Sequence, residues 1–212
     1  MTTEVKKPEV IKSVYTDQFE ILNAILKLHI SDSDTFDVDL TYGNGAFYKK
    51  GIPLPPHRLD IDDSLEDTTK VCSSNDTKLN ADSVKSAVFD PPFLTYIRTQ
   101  RTGNSTMVMS RRFSGYWTYD ELAEHYKSTL KEAGRILKHK GILVIKCQDI
   151  VHNHKLCCTH GNILNWSQDL FRLKDLFIQV ATHRMPAPNR KGTQKHARIH
   201  HCYWVVLQRW RK

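Results

Sequence analysis

Short apolar segments typical of buried strands alternate with amphipathic helical patterns along most of this chain. Residues 142–145 are four successive aliphatic residues, and residues 18–29 carry apolar side chains at helical spacing. Such alternation predicts an α/β fold in which helices cover a mostly parallel sheet. The predicted strands are 37–40, 57–61, 71–72, 83–89, 142–145, 176–182 and 202–207, with further predicted helices over 119–137 and 164–171.

The length of 212 residues suits one α/β domain with a full core and is too short for two large domains. We therefore expect a single domain over residues 1–212. Its irregular parts would be a flexible N-terminus over about residues 1–13, a long loop over residues 94–116 and a basic excursion over residues 184–201.

Hydrophobic residues make up 40% of the chain and charged residues 25%. Apolar stretches fall short of the roughly 20 residues that a membrane span needs, and the first 20 residues lack the apolar segment of a secretory signal. The five cysteines show no disulfide framework spacing. These features predict an intracellular protein of the cytoplasm or nucleoid, or of the nucleus in a eukaryotic host, with no membrane contact.

The formal net charge is +8 and the isoelectric point is near 9.2. An excess of positive charge favours a polyanionic partner such as nucleic acid, because phosphate contacts release counterions. A solvated basic surface is the alternative. The candidate nucleic-acid contacts are Arg98, Arg101, Arg111, Arg112, Arg190, Lys191, Lys195 and Arg198.

The tetrapeptide Asp90-Pro91-Pro92-Phe93 directly follows the predicted strand over residues 83–89. Two prolines end a strand without supplying a backbone donor, so Asp90 lies at the carboxyl end, where open α/β sheets bind ligands. A carboxylate and free carbonyl oxygens there can accept hydrogen bonds from an exocyclic amino group, and an aromatic ring can stack on a base. An Asp-Pro turn after a buried strand is the alternative reading.

Glycines and acidic residues follow the three preceding strands. Gly43 and Gly45 permit a tight turn and a close approach of the backbone to a ligand. Asp60 ends the next strand and is placed for ribose hydroxyl groups, with Asp62 as a competing choice. Asp76 follows the third strand, where an Asn-Asp turn is an equally simple explanation.

In this order the motifs resemble those of class I S-adenosylmethionine-dependent amino-methyltransferases. Residues 39–45 resemble motif I, Asp76 resembles the motif III acid, residues 90–93 resemble motif IV, and Tyr15 and Thr16 resemble motif X. The resemblance implies a Rossmann-like, doubly wound, mostly parallel seven-stranded sheet with an antiparallel last strand.

The resemblance also implies the site residues. The catalytic group would be Asp90, Pro91, Pro92 and Phe93. The residues binding S-adenosyl-L-methionine would be Tyr15, Thr16, Asp39, Thr41, Tyr42, Gly43, Gly45, Asp60, Asp62, Asp76 and Asp90.

The implied activity is methyl transfer to the exocyclic amino group of adenine in DNA by direct displacement. Adenine is favoured over cytosine because amino-cytosine methylases more often carry serine at the position of Asp90. DNA is favoured over RNA, with an RNA adenine or guanine amino-methyltransferase as the alternative and a catalytically silent nucleic-acid-binding or partner subunit as a further one. Since a separate target-recognition domain would not fit, the two irregular segments, a protein partner or a homodimer would have to choose the target.

Cysteine and histidine crowd the region after the predicted strand at residues 142–145. Thiolate and imidazole groups can bind zinc, but this spacing matches no standard zinc finger. We therefore expect scattered side chains and no metal site. The residues concerned are Cys147, His152, His154, Cys157, Cys158 and His160.

Overall fold

The computed structural model describes residues 10–95, 116–182 and 195–211, and within them eight strands form one sheet. These strands are β1 (Val14–Tyr15), β2 (Val38–Asp39), β3 (His57–Asp60), β4 (Lys70–Val71), β5 (Val84–Phe89), β6 (Leu137–Cys147), β9 (Phe171–Val180) and β10 (His201–Arg209). A separate two-stranded hairpin consists of β7 (Ile150–His152) and β8 (Lys155–Cys157).

The strand order across the large sheet is β1-β9-β10-β6-β5-β2-β3-β4. Strand β10 pairs antiparallel with both of its neighbours, and every other pairing described in this sheet is parallel. The structure thus confirms a mostly parallel sheet with an antiparallel last strand.

Three helices are described: α1 (Gln18–His29), α2 (Tyr119–Ile136) and α3 (Thr159–Ser167). Helix α1 begins at Asp17, whose carboxylate accepts a hydrogen bond from the backbone N–H of Phe19 at 2.9 Å. Helix α2 begins with a capping box, in which Thr118 and Glu121 each accept a hydrogen bond from the other's backbone N–H. Helix α3 begins after Cys158.

Side chains of the central strands alternate between two hydrophobic cores, one on each face of the sheet. Val144 and Val206 pack in the core that contains α1, whereas Ile145 and Val205 pack in the core that contains α2. Successive residues of a strand point to opposite faces, so four apolar residues in a row require cover on both sides. The sheet is therefore doubly wound, as the sequence predicted.

Some elements differ from the sequence-based prediction. Strand β1 makes the sheet eight-stranded, and it exists because Val14–Tyr15 pairs with the edge of β9. The helix predicted over residues 164–171 is misplaced: residues 164–167 are the end of α3, whereas Phe171 begins β9, which pairs antiparallel with β10. The hairpin of β7 and β8 was not predicted.

Among the described residues, no helix combines the length and apolar character that crossing a membrane would require.

Candidate active site

Strands β2 and β5 are neighbours in the sheet. From β2 the chain adds β3 and β4 on one side, and from β5 it adds the later strands on the other side, so the strand order reverses between β2 and β5. Ligands of open α/β sheets bind at such a switch point, beyond the carboxyl ends of the strands. Asp39 ends β2, Asp60 ends β3 and Asp90 directly follows β5. The fold therefore gathers three carboxyl groups at one edge.

Asp39 is buried, with 1% of its surface exposed. Its Oδ1 accepts a hydrogen bond from the backbone N–H of Thr41 at 3.0 Å, and its Oδ2 accepts one from the hydroxyl of Tyr48 at 2.8 Å. Burial raises the pKa of Asp39 to about 7. The two hydrogen bonds lower the pKa, and the negative charges of Asp90 and Asp60 raise it further. A cation bound nearby would therefore favour full ionisation of Asp39.

The turn after β2 contains two glycines in the left-handed region, Gly43 at φ +55° and Gly45 at φ +66°. The backbone N–H of Gly43 donates to Oδ2 of Asp60 at 2.8 Å, which ties the turn to β3. A Cβ at residue 45 would lie 2.5 Å from the hydroxyl oxygen of Tyr42, whereas a Cβ at residue 43 would meet nothing within 4 Å. Gly45 thus makes room for the Tyr42 ring, and Gly43 borders open space.

Asp90 is held between the glycine turn and β6. Its backbone N–H donates to Oγ1 of Thr41 at 2.8 Å, and its Oδ2 lies 3.5 Å from Nζ of Lys146. Burial raises the pKa of Asp90, and the charge of Lys146 opposes that shift. Pro91 is buried, whereas Pro92 and Phe93 are half-buried.

Lys146 lies beside Asp90, whereas the sequence alone allows this lysine to face either the cofactor edge or solvent. Its side chain is 13% exposed, and its Nζ lies 5.1 Å from the ring centroids of both Phe47 and Trp204. The Nζ also donates to Oε1 of Gln18 at 3.3 Å. A single lysine inside an apolar strand was the available signal, but only the pairing of β5 with β6 shows that Asp90 is its partner.

The β7–β8 hairpin lies against the segment that follows Phe93. Nδ1 of His152 is 3.1 Å from Oγ1 of Thr95. In the turn that follows His152, the backbone oxygen of His154 accepts a hydrogen bond from Nε2 of His196 at 3.0 Å. The hairpin therefore contacts both the residues that follow Phe93 and the stretch before β10.

The side chains of three other predicted cofactor residues, Tyr15, Thr16 and Asp62, take no part in these hydrogen bonds, although the backbone N–H of Asp62 donates to Oδ1 of Asp60 at 3.0 Å. Tyr15 is half-buried in β1, with its ring 6.5 Å from that of Phe177, and Thr16 beside it is exposed. The carboxylate of Asp62 accepts hydrogen bonds from Ser64, which lower the pKa of Asp62.

Asp76 is exposed in a turn and pairs with Lys78. Hydrogen bonds form two sets at this edge, one that joins Asp39, Thr41, Asp90 and Lys146 and one that joins Gly43 to Asp60.

Of the predicted nucleic-acid contacts, Lys195 and Arg198 are described, and both are exposed. The remaining six lie outside the described residues: Arg98, Arg101, Arg111, Arg112, Arg190 and Lys191.

Comparison with known proteins gives matches at the level of structure. No protein-family model and no curated protein sequence matches this chain. An S-adenosylmethionine-dependent methyltransferase from Methanosarcina mazei has a TM-score of 0.52 and 11% identity, with 88% of this chain and 98% of that chain covered. TrmN from Thermus thermophilus has a TM-score of 0.51 and 11% identity, with 90% of this chain and 48% of that chain covered.

A proposed DNA modification methylase, also from Thermus thermophilus and crystallised with S-adenosyl-L-methionine, has a TM-score of 0.43 and 19% identity, with 73% of this chain and 55% of that chain covered. The chain thus spans about half the length of this DNA modification methylase. The strand order, the two cores and the similarity to the Methanosarcina structure define the fold as a Rossmann-like class I methyltransferase fold.

Proposed function

We propose that this protein transfers a methyl group from S-adenosyl-L-methionine to the exocyclic amino group of adenine in DNA. The observation that carries the proposal is the position of Asp90-Pro91-Pro92-Phe93, which follows β5 at the switch point of a methyltransferase fold and is hydrogen-bonded to the glycine turn through Thr41.

The carboxyl groups at the strand edge fit S-adenosyl-L-methionine. When bound, this cofactor supplies a methyl group attached to a positively charged sulfur atom. Asp39, Asp60 and Asp90 give the edge negative charge, which attracts a cationic ligand. The open space beside Gly43 would receive the methionine part. Each carboxylate oxygen of Asp60 accepts one backbone N–H, from Gly43 and Asp62, which leaves a lone pair on each for ribose hydroxyl groups.

Asp90 would hold the target amino group. An ionised carboxylate accepts hydrogen bonds only, so it can take one N–H of the amino group, and the carbonyl oxygen of Pro91 or Pro92 can take the other. These bonds favour the pyramidal geometry in which the nitrogen lone pair is free to attack. Lys146 favours the ionised form of Asp90, and Thr41 fixes its backbone. Catalysis would come from positioning and electrostatics.

Phe93 would stack on the base. Enzymes that act on a base in duplex DNA must first rotate it out of the helix, and an aromatic face stabilises the extruded base. DNA is preferred on the resemblance of the tetrapeptide to adenine methylases, and the net charge of +8 supports a nucleic acid of either kind.

The decisive experiment follows transfer of tritiated methyl groups to pools of DNA, RNA and protein, with mass analysis of the modified nucleosides. We expect N6-methyladenine in DNA. Asp90→Ala should lower the rate by about 100-fold or more, because an acceptor used in the transition state is lost. Calorimetry should show that this variant still binds the cofactor.

Asp63→Ala, which removes an exposed carboxylate three residues after the end of β3, is the matched control and should keep most of the activity. A methylated RNA product would favour the RNA alternative. Cofactor binding without transfer to any pool would favour the silent subunit. Full turnover by Asp90→Ala would exclude the assigned role of Asp90.

A further inference from the structure

Three side chains of metal-binding type meet at the base of the β7–β8 hairpin. Asp149 precedes β7, Cys158 follows β8 and caps α3, and His160 lies in the first turn of α3. One ligand atom from each lies within 4.8 Å of the other two. One of the three is an aspartate, so the spacing of cysteine and histidine residues in the sequence does not reveal this group.

Two of the three separations within this group are close to those of a tetrahedral zinc site, and the third, between Asp149 and Cys158, is within 4.8 Å. Nδ1 of His160 lies 2.9 Å and 3.0 Å from the two carboxylate oxygens of Asp149, and 3.7 Å from Sγ of Cys158. Zinc bonds of about 2.0 Å to nitrogen or oxygen and about 2.3 Å to sulfur give tetrahedral edges of about 3.3 Å and 3.5 Å. Movements of about 0.4 Å or less would bring both observed separations to these values.

The surrounding structure already orients the three groups. The His160 ring stacks on Tyr203, with centroids 3.9 Å apart and an interplanar angle of 22°. Oδ1 of Asp149 accepts the backbone N–H of His160 at 3.2 Å. A Cβ at Gly161 would lie 2.9 Å from Sγ of Cys158, so the glycine leaves room for the sulfur.

We propose that Asp149, Cys158 and His160 bind one zinc ion, with water as the fourth ligand. Thiolate and imidazole favour zinc over magnesium or calcium, which prefer all-oxygen sites. Asp149 is nearly buried while Cys158 is exposed, so the metal has access from the sulfur side. Binding would release the thiol proton of Cys158 to solvent, and the ring proton of neutral His160 would sit on Nε2 because Nδ1 binds the metal.

The metal would close the base of the hairpin. The strands β7 and β8 lie between Asp149 and Cys158 in the chain, so joining these residues links the two ends of the hairpin to α3. The hairpin in turn contacts Thr95 and His196. The zinc would therefore hold the hairpin in place beside the strand edge, whatever reaction occurs there.

The test measures zinc in the full-length protein after loading with zinc and dialysis against metal-free buffer. We expect about one zinc ion per chain in the wild type, as in three-ligand protein sites. Cys158→Ser should lose the zinc, and Cys157→Ser, which removes the adjacent thiol, should keep it. Replacement of zinc by cobalt should give a thiolate-to-cobalt absorption band in the wild type and in Cys157→Ser.

Gly161→Ala tests the geometry without removing a ligand. Alanine is the better helix former, so α3 should persist, while the displaced sulfur should lower zinc affinity by more than about tenfold. Circular dichroism checks that each variant is folded. A wild type that retains no zinc, zinc retained by Cys158→Ser, or equal loss from Cys157→Ser would each overturn the proposal.

Discussion

Asp39 is a carboxyl group whose burial opposes its ionisation. Its two hydrogen bonds, from Thr41 and Tyr48, offset only part of the cost, and its pKa rises from 3.8 to about 7. The folded protein therefore binds this proton more tightly than the unfolded chain does. The resulting stability is fully present below about pH 4 and is lost as the pH rises through 7.

Asp39→Asn should remove this pH dependence, because an amide does not ionise. At pH 8 the cofactor-free variant should be more stable than the wild type, by up to about 4 kcal/mol, which corresponds to the pKa difference. The advantage should be smaller at pH 5. Urea unfolding at the two pH values measures it, with the exposed Asp62→Asn as the control; an advantage of equal size at both pH values would contradict the assignment.

Lys146→Met should shift the pH dependence of methyl transfer. Ionised Asp90 only accepts hydrogen bonds, whereas protonated Asp90 carries a donor O–H and lacks the negative charge, so activity should fall as the pH drops through its raised pKa. Removing the lysine charge raises that pKa further, because Lys146 opposes the effect of burial. The acidic limb of the pH–rate profile should therefore move to higher pH.

The matched control for this lysine is Lys131→Met, which removes an exposed lysine of α2. Its profile should coincide with that of the wild type. An unchanged acidic limb in Lys146→Met would show that Lys146 does not tune Asp90.

At the scale of elements, the two glycines of the turn after β2 have different roles: Gly45 makes room for a side chain, and Gly43 leaves space for a ligand. Both Gly43 and Gly45 have positive φ, so alanine at either position costs about 1–2 kcal/mol in backbone strain. Only at residue 45 does the added carbon also collide with a side chain, that of Tyr42.

Gly45→Ala should therefore lower the free energy of unfolding by more than Gly43→Ala does. Gly43→Ala should fold but bind S-adenosyl-L-methionine more weakly, because its methyl group enters the open space beside the turn. Urea unfolding and calorimetry measure the two effects. Equal stability losses, or unchanged cofactor affinity in Gly43→Ala, would contradict this division of roles.

At the scale of the whole molecule, the charge of +8 predicts salt-sensitive binding to nucleic acid, which for the proposed function is DNA. Each lysine that contacts a phosphate contributes about one unit to the slope of log affinity against log salt. Lys195→Ala should therefore weaken binding to unrelated sequences equally and reduce the slope by about one. Titrations at several salt concentrations test this, with Lys131→Ala as the control; a change limited to one sequence would argue against a phosphate contact.

The fold class was predictable because its signals are local. The four aliphatic residues 142–145 require cover on both faces of a sheet, Thr118 and Glu121 form a capping box within one turn, and Pro91 with Pro92 ends β5 wherever the strand pairs. The helix over 164–171 was misplaced because its apolar residues belong partly to α3 and partly to β9, and local periodicity does not separate the two.

By itself, the sequence determined the doubly wound α/β class, the boundaries of α1 and the position of Asp90 at a strand end. Only the tertiary structure decided that β1 joins the sheet, that Lys146 faces Asp90 and that Asp149 meets Cys158 and His160. Strand ends and helix caps are set by residues that are close together in the chain, so the sequence alone predicts them. Pairings such as Lys146 with Asp90 depend on strand order and register across the sheet, which long-range packing selects.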